Sequence, residues 1–541
     1  MINFRTTISK LNKKLPLKLA AALLAGSSLV ASLLGLFRDR LFNSSYYLTY
    51  PAGADAYTVA FTIPDFMFII LVSGALSVSF IPVFNQRLAK GNKKSAWELS
   101  TSTMNLMALA TLVASILIII FADPLVRYVV GPGLPESGQA LAVSMMRVLA
   151  VSPFLFAVST VLTSMQQAVG RFAFFALAPV LYNIGIIIGL LFFTNGITIF
   201  GWEVFEGGIM GVALGVVLGS MMQLIVSAIG LLGMGFDYQF KIFWKNKGFR
   251  QVLRLLPPRS LDQGIDYVNS IIETNLASRM ATGSVRAYQQ VTALTYVPIN
   301  LIGVAISTAA FPKMTERLAQ GRPDLFKSEL QAVLRVIIWL ALPVTVISIF
   351  ARGYIVNFIV NGGDPYMASI FSILAISILF RSVYFISARS FYAHQDTKTP
   401  LYISLFTISL NITLAIWFTV GLGMGVHGLA WAAVIVSAVE AFILFYVMSK
   451  RIKGLFDKVF MSMVVRMLSA AGFTAIVTYL LVSIFPLSAD DQSFFASFPK
   501  FVIIVTLSLA AYVILCRLMK VPEVNPIITR IRNLLFKQPK V

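Results

Sequence analysis

The sequence predicts an all-α polytopic membrane protein: about fourteen transmembrane helices, arranged as two parallel six-helix lobes plus a C-terminal helix pair. Three observations lead there. Of 541 residues, 58% are apolar and only 12% charged, about half the charge that soluble domains carry. The apolar residues come in runs long enough to cross hydrocarbon, which takes about 20 residues. Basic residues recur in alternate connections between those runs, as they do where loops face the cytoplasm. A single apolar core does not account for the composition, because cores stop growing near about 250–300 residues.

In chain order the expected spans are 19–41, 53–84, 98–121, 138–167, 173–194, 208–235, 257–281, 287–312, 328–350, 366–393, 400–420, 426–449, 462–485 and 498–518. Several exceed a straight crossing, so tilt or breaks are expected in them. Lys10, Lys13, Lys14 and Lys18 precede the first span. Arg87, Lys90, Lys93 and Lys94 follow the second, Lys241, Lys245, Lys247 and Arg250 the sixth, and Lys313, Arg317, Arg322 and Lys327 the eighth. Lys450, Arg451, Lys453 and Lys458 follow the twelfth, and the tail carries Arg530, Arg532, Lys537 and Lys540. The intervening loops are short or acidic, as at Glu203 with Glu206 and Asp490 with Asp491. Both termini are therefore expected in the cytoplasm. The first run continues into Gly35 and Arg38-Asp39-Arg40, so it reads as an uncleaved helix rather than a signal peptide.

An internal duplication sets the domain organisation. Pro82 with Arg87-Leu88-Ala89-Lys90-Gly91 recurs as Pro312 with Arg317-Leu318-Ala319-Gln320-Gly321. Ala56-Tyr57 recurs as Ala287-Tyr288, and Gln167 and Asn183 recur as Gln395 and Asn411. Gly208 and Gly211-Val212-Ala213 recur as Gly425 and Gly428-Leu429-Ala430. Six spans per repeat is an even number, so both repeats enter from the same side, as parallel repeats do. The expected organisation is a first lobe over 1–236, a second over 237–455, and spans 13 and 14 with a basic tail over 456–541. Two such lobes would enclose a central cavity that opens by rocking, which is the plan of a transporter.

The net charge of +21 fits basic loops against an anionic leaflet, and no nucleic-acid partner is expected. A single cysteine, Cys516, excludes a disulfide framework, and two histidines, His394 and His427, exclude a His-rich metal or haem site. No phosphate-binding loop, glycosidase carboxylate pair or nucleophile elbow stands out. An enzyme is not expected, and transport would run on an ion gradient or the membrane potential, where one charge across 100 mV is worth about 2.3 kcal/mol.

Charge inside a span costs roughly 2.5–3.5 kcal/mol on insertion scales, so each such residue needs a reason. Arg38-Asp39-Arg40 reads either as a cationic rim for an anionic substrate or as an interfacial helix end where Arg snorkels. Asp262, Asp266, Asn269 and Glu273 share one face of span 7 by their spacing. That stripe reads as a cavity-facing site for a cation or proton, or as a stripe paired by Arg259, Arg279 or a neighbouring helix. Asp55, Asp65, Arg147, Arg381 and Glu440 are further intramembrane charges; Arg147 and Arg381 line the cavity or serve as ion-pair partners. Gly211, Gly215 and Gly219 read as close helix packing, and His394 as a solvated residue of a turn.

Gly35-Leu36-Phe37-Arg38-Asp39, Ala54-Asp55-Ala56-Tyr57, Ile63-Pro64, Gly74-Ala75 and Phe80-Ile81-Pro82 together resemble the opening of the MurJ (MviN) lipid II flippases. So do Gly170-Arg171-Phe172, Ala178-Pro179 and Asn183, and most specifically the segment Ser390-Phe391-Tyr392-Ala393-His394-Gln395-Asp396-Thr397-Lys398-Thr399-Pro400. The resemblance runs from span 1 through span 12. It implies the multidrug/oligosaccharidyl-lipid/polysaccharide exporter superfamily and alternating-access movement of an undecaprenyl-pyrophosphate-linked peptidoglycan precursor. It also implies a pyrophosphate held near cavity arginines and a lipid tail in a groove formed partly by spans 13 and 14. A monomer among membrane lipids is expected.

The chain departs from the family pattern where arginines are usual, with Ser32, Phe68 and Ala293 in their places, and Ser73 replaces an acid. Arg38, Asp39 and Asp55 match, and Arg147, Arg279, Arg286 and Arg381 are the cations available as spatial substitutes. The family resemblance further implies a sodium site, to which Glu273 and Asn411 correspond, with Asp266 on the same stripe; Ala415 replaces its second acid. A sodium ion or a proton is thus the candidate coupling ion, and no other cofactor is expected. Two alternatives stand beside the flippase: an exporter of another lipid-linked glycan or a cationic drug, and a scaffold relative plugged by side chains such as Phe68.

Overall fold

Lipid offers backbone N–H and C=O groups no partners, so apolar runs in a membrane fold as helices that satisfy themselves. The computed structural model describes residues 16–73, 80–199, 202–488, 491, 493–526 and 529, with the backbone alone at 17, 18, 21, 73, 199, 202, 203, 257–263 and 266. Gly74, Ala75, Asp490, Lys10, Lys13, Lys14 and the basic tail from Arg530 lie outside the described residues. Thirteen helical stretches among the described residues are long and apolar enough to cross a membrane. They correspond to every expected span except the seventh, of which only the backbone is described at 257–263 and 266.

The chain forms two compact units, 1–286 and 287–541. The first holds α1 (Leu17–Phe42), α2 (Pro51–Phe68), α3 (Ile81–Ala89), α4 (Lys93–Pro124), α5 (Glu136–Leu149), α6 (Ser152–Ala168), α7 (Ala173–Leu191), α8 (Met210–Ile229) and α9 (Lys247–Ser278). The helix α10 (Ser284–Ile299) begins at its end. The second unit holds the rest of α10 and α11 (Ala305–Ala319), α12 (Pro323–Phe350), α13 (Arg352–Asn357), α14 (Pro365–Leu374), α15 (Ser377–Ala393), α16 (Lys398–Ile416), α17 (Val426–Arg451), α18 (Lys458–Ile484) and α19 (Phe494–Leu518). This division follows packing and falls one helix after the repeat boundary expected at 236/237, because α9 packs on α2 and α4.

Overlong spans break, and they break alike in both repeats. The expected span 138–167 is α5 and α6, separated at Ala150 and Val151; the expected span 366–393 is α14 and α15, separated at Ala375 and Ile376. Span 2 widens into a π-helical turn at Ile69–Ser73, and span 8 does so at Asn300–Val304, 231 positions later. Such turns arise where the hydrogen-bond ladder admits one extra residue. The repeated Arg-Leu-Ala-x-Gly motif is a helix stop. Gly91 and Gly321 take φ of +72° and +68°, the left-handed conformation glycine adopts without a Cβ penalty. Asn92 N and Arg322 N then donate to the Arg87 and Arg317 carbonyls at 3.1 and 3.0 Å. The match of Gln167 with Gln395 shifts in register: the positive φ falls at Gly170 in one turn and at Gln395 in the other.

The glycines of α8 do lie against a neighbour. A Cβ on Gly215 would sit 2.6 Å from Gly189 Cα of α7, and one on Gly211 would meet the Phe193 carbonyl carbon at 2.5 Å. Between α7 and α8 a short antiparallel hairpin, Ile197–Ile199 with Trp202–Phe205, interrupts the helices; no alternation in the sequence pointed to it. In the first unit Phe80, Phe84, Leu99, Met165 and Phe249 form a core cluster. In the second, Met314, Phe326, Leu334, Ile337, Phe391 and Leu444 do so. The added helices α18 and α19 pack on α12 through Met467, Ala470, Tyr512 and Cys516 against Trp339.

Candidate functional site

The polar centre of the first unit is built from the end of α1, the start of α2 and the first turn of α10. Arg38 and Asp39 are in the last turns of α1, and Asn43 opens the π-helical turn Asn43–Tyr47 that continues it. Pro51 at the first position of α2 starts that helix without wasting a donor, and it sets Asp55 one turn further in.

Asp39 Oδ1 lies between two guanidinium groups. Arg38 donates to it from Nη2 at 2.9 Å and from Nε at 3.2 Å, and Arg286 Nη2 approaches at 3.5 Å. Arg38 Nη1 donates to Asn183 Oδ1 of α7 at 3.1 Å. Asn183 in turn donates to the carbonyls of Ala31 and Pro179, which fixes the oxygen toward Arg38. Arg286 is 4% exposed. Its Nε donates to Asn43 Oδ1 at 2.9 Å, and its guanidinium carbon stands 4.4 Å from the centre of the Phe42 ring. A buried cation needs this many partners, because an uncompensated charge there costs several kcal/mol; the ring face adds roughly 0.5–2 kcal/mol.

Asp55, 2% exposed, does not face outward. Its Oδ2 accepts from Gly283 N at 2.6 Å and its Oδ1 from Arg286 N at 2.8 Å. It caps α10 from another helix, a carboxylate at the positive end of a helix dipole. Asp55 and Arg286 are also repeat counterparts, preceding Ala56-Tyr57 and Ala287-Tyr288. The sequence duplication therefore places an acid and a base at matching positions, and folding brings them together.

Of the expected substrate residues, Arg38, Asp39, Asp55 and Arg286 converge. Arg147 and Arg279 do not: both are exposed. Arg147 Nε donates to the Ile119 carbonyl of α4, and Arg279 Nε to Asn275 Oδ1 within its own turn. Arg381 belongs to the second unit, where it stands 3.8 Å from Glu440 Oε2. Glu440 is 4% exposed and also accepts from Ser404 and Thr407 of α16 at 3.0 and 3.2 Å. Asn43 was missed by sequence reading; its only signal was an amide at the end of an apolar run.

The polar stripe of span 7 lies on α9, a 32-residue helix of which the backbone alone is described at 257–263 and 266. Glu273 accepts from Asn269 Nδ2 at 3.0 Å, one turn away on the same face. The side chains of Asp262 and Asp266 lie outside the described residues. Asn411 is buried in α16 of the second unit. Among the described residues, no group of three or more His, Cys, Asp or Glu side chains is placed to hold a metal ion.

The positions where family arginines are usual hold no cation. Ser32 is exposed on α1, and Ala293 is exposed on α10. The Phe68 ring packs at 5.6 Å on Phe156, which meets Tyr182 edge-on. The most family-specific segment, Ser390–Pro400, is a helix-turn-helix junction. Asp396 Oδ1 accepts from Lys398 N and Thr399 N, both at 3.0 Å, and so caps α16; Oδ2 pairs with Arg451 at 2.6 Å. The Thr399 hydroxyl and backbone, with Arg451, hold the Asp396 carboxyl below the usual carboxylate range. His394 Nδ1 lies 2.8 Å from the Ser390 carbonyl, and its ring meets Phe326 edge-on.

A family model described as "Lipid II flippase MurJ" matches residues 44–516. A probable lipid II flippase MurJ of Borreliella burgdorferi is 23% identical over 436 residues, covering 79% of this chain and 82% of that one. A protein of the same name from Haemophilus influenzae is 25% identical over 458 residues, covering 78% and 84%. Among solved structures, a lipid II flippase MurJ in an inward closed conformation superposes with a TM-score of 0.72 at 22% identity, over 92% of this chain and 98% of that one. An inward-facing MATE-family multidrug resistance transporter of the MOP superfamily superposes with a TM-score of 0.66 at 17% identity, over 79% and 96%. These last two likenesses are of fold. With the family model spanning α2 through α19, this chain belongs to the MurJ family of lipid II flippases.

Proposed function

We propose that this chain is a lipid II flippase, moving the undecaprenyl-pyrophosphate-linked peptidoglycan precursor from the inner to the outer leaflet of the bacterial cytoplasmic membrane. The observation that carries the reading, beside the family, is the pair of guanidiniums on Asp39. Arg38 and Arg286 are the two arginines that a membrane-embedded helix end and a neighbouring helix start hold together. A pyrophosphate, like a carboxylate, offers paired anionic oxygens that a planar guanidinium meets with two charge-assisted hydrogen bonds. An arriving headgroup would take Arg38 donors from Asp39, whose side chain is about one-fifth exposed, while Arg286 stays anchored on Asn43 and Phe42.

The cycle exposes that cluster alternately to the two membrane faces, makes and breaks no covalent bond, and is driven by an ion gradient or the membrane potential. Glu273 and Asn411 are the residues assigned to a sodium ion or proton, and the acyl tail is assigned to the surface beside α18 and α19. Both termini are assigned to the cytoplasm, the working form is a monomer, and nucleic acid has no part in it. The test is complementation of a strain depleted of its own lipid II flippase. Wild type restores growth, Arg38→Ala and Glu273→Ala reduce it at equal membrane abundance, and failure of abundant wild type to restore growth rejects the reading.

A further inference from the structure

A second basic site lies in the first unit and shares no residue with the Arg38–Arg286 cluster. A cavity of about 790 Å³ opens between the end of α3, the start of α4 and the segment that precedes α9. Arg87, Lys94, Lys241, Lys245 and Lys247 line it, against one acid, Glu98. Glu98 is already engaged, accepting from Asn246 Nδ2 at 3.1 Å. Among the described residues, Lys94, Lys241, Lys245 and Lys247 are exposed and form no ion pair. The positive charge of the cavity is therefore largely uncompensated by the protein.

The wall is built rather than loose. Residues 236–246 have no regular structure, yet α4 holds them. Asn105 Nδ2 donates to the carbonyls of Gln239 and Lys241 at 2.9 and 3.0 Å, and Ser102 Oγ accepts from Phe243 N at 2.8 Å. Asn246 Nδ2 donates to the Ser95 carbonyl at 3.1 Å, and Arg87 Nη1 to Ser95 Oγ at 3.1 Å. The 32-residue helices α4 and α9 both start at this cavity. Asn92 and Asn246 cap them, so they add the field of their positive ends rather than free donors.

The same segment turns aromatic rings outward. Phe240 is 93% exposed and Trp244 56% exposed, beside helix ends that enter the membrane. Aromatic rings at such a level sit among headgroups and upper acyl chains. Basic residues against an exposed aromatic rim are the composition that anionic lipids select.

We propose that this cavity binds the phosphate headgroup of an anionic phospholipid, with its acyl chains alongside Phe240 and Trp244. The ligand is a resident lipid of the bilayer, distinct from the transported precursor. The inference stands whether or not the chain transports lipid II.

The experiment uses the full chain in a neutral detergent, titrated with dioleoylphosphatidylglycerol or dioleoylphosphatidylcholine while thermal unfolding is followed. The glycerol lipid raises the melting temperature of wild type and the choline lipid does not. Lys94→Gln/Lys245→Gln/Lys247→Gln weakens the apparent affinity for the glycerol lipid about 10- to 100-fold, as loss of three cations near an anionic headgroup entails. The charge-matched Lys450→Gln/Lys453→Gln/Lys458→Gln leaves it unchanged. Single Lys245→Gln, at an exposed side chain, gives a smaller loss in the same direction and serves if the triple variant is not isolated. Equal responses to both lipids, an unchanged affinity in the cavity variants, or the same shift from inorganic phosphate alone would each overturn the proposal.

Discussion

Asp55 closes the amino-terminal end of the helix that carries Arg286, accepting from Gly283 N at 2.6 Å and from Arg286 N at 2.8 Å. The acid thereby fixes the backbone from which the most buried guanidinium of the cluster projects. Its role is positional, and it links the stability of the first unit to the geometry of the candidate site.

Removing that cap should be costly. Asp55→Ala leaves two buried backbone donors unpaired, and loss of a cap costs about 0.5–2 kcal/mol, more where the donors stay dry. Asp55→Asn keeps an acceptor oxygen and should recover part of the loss. Thermal unfolding in detergent checks the order wild type, Asn, Ala. Equal melting of the alanine variant and wild type would remove Asp55 from this role.

The close approach of α7 and α8 predicts intolerance of side chains. Gly215→Val places atoms where Gly189 Cα already stands at 2.6 Å from a bare Cβ, and overpacking of that kind costs typically 1–3 kcal/mol. Gly472 on α18 has nothing within 4 Å of a Cβ, so Gly472→Ala should be neutral. The yield of monodisperse protein from membranes separates the two.

Arginine substitutions should sort by place rather than by number of charges. Arg38→Ala and Arg286→Ala remove donors from the Asp39 cluster and should abolish complementation. Arg38→Lys keeps the charge without the planar fork and should rescue little. Arg147→Ala and Arg279→Ala touch exposed side chains and should act within about 0.5 kcal/mol on stability, with growth retained. A growth defect from Arg147→Ala equal to that of Arg38→Ala would contradict the assignment.

Acid should loosen the second unit first at its loops. Lys500 and the Ser488 backbone lower the Asp491 carboxyl from 3.8 to about 2, and Asp396 is lowered by Thr399 and Arg451. A carboxyl lowered by folding contributes stability that is fully present above its unfolded value. That contribution fades as the pH falls from about 4 toward about 2. Asp491→Asn should flatten the melting-temperature profile across that window and leave it unchanged at neutral pH relative to its own plateau.

Sequence reading reached the elements that repeat. Gly91 and Gly321 were visible as a recurring motif, and the structure makes both of them left-handed helix stops. The span count came from length and hydropathy, which lipid enforces directly. The hairpin at Ile197–Phe205 was not legible, because it is too short for alternation to register. The site was legible only in part. Arg38 and Asp39 are neighbours in sequence, but Arg286 reaches Asp39 across 247 positions, and Asn43 carried no charge to mark it. Spacing along one helix tells which residues share a face; it does not tell how that face is turned. For that reason the sequence did not show that Arg147 turns toward α4, where its Nε donates to the Ile119 carbonyl.

The account rests most heavily on transport of a pyrophosphate-linked lipid through the Arg38–Arg286 cluster. The direct measurement is the fraction of lipid-linked precursor that a membrane-impermeant hydrolase reaches from outside, in cells whose own flippase is depleted. Wild type should raise that fraction, and Arg286→Ala at equal abundance should not. An unchanged fraction with wild type, or an equal rise with Arg286→Ala, would contradict the account.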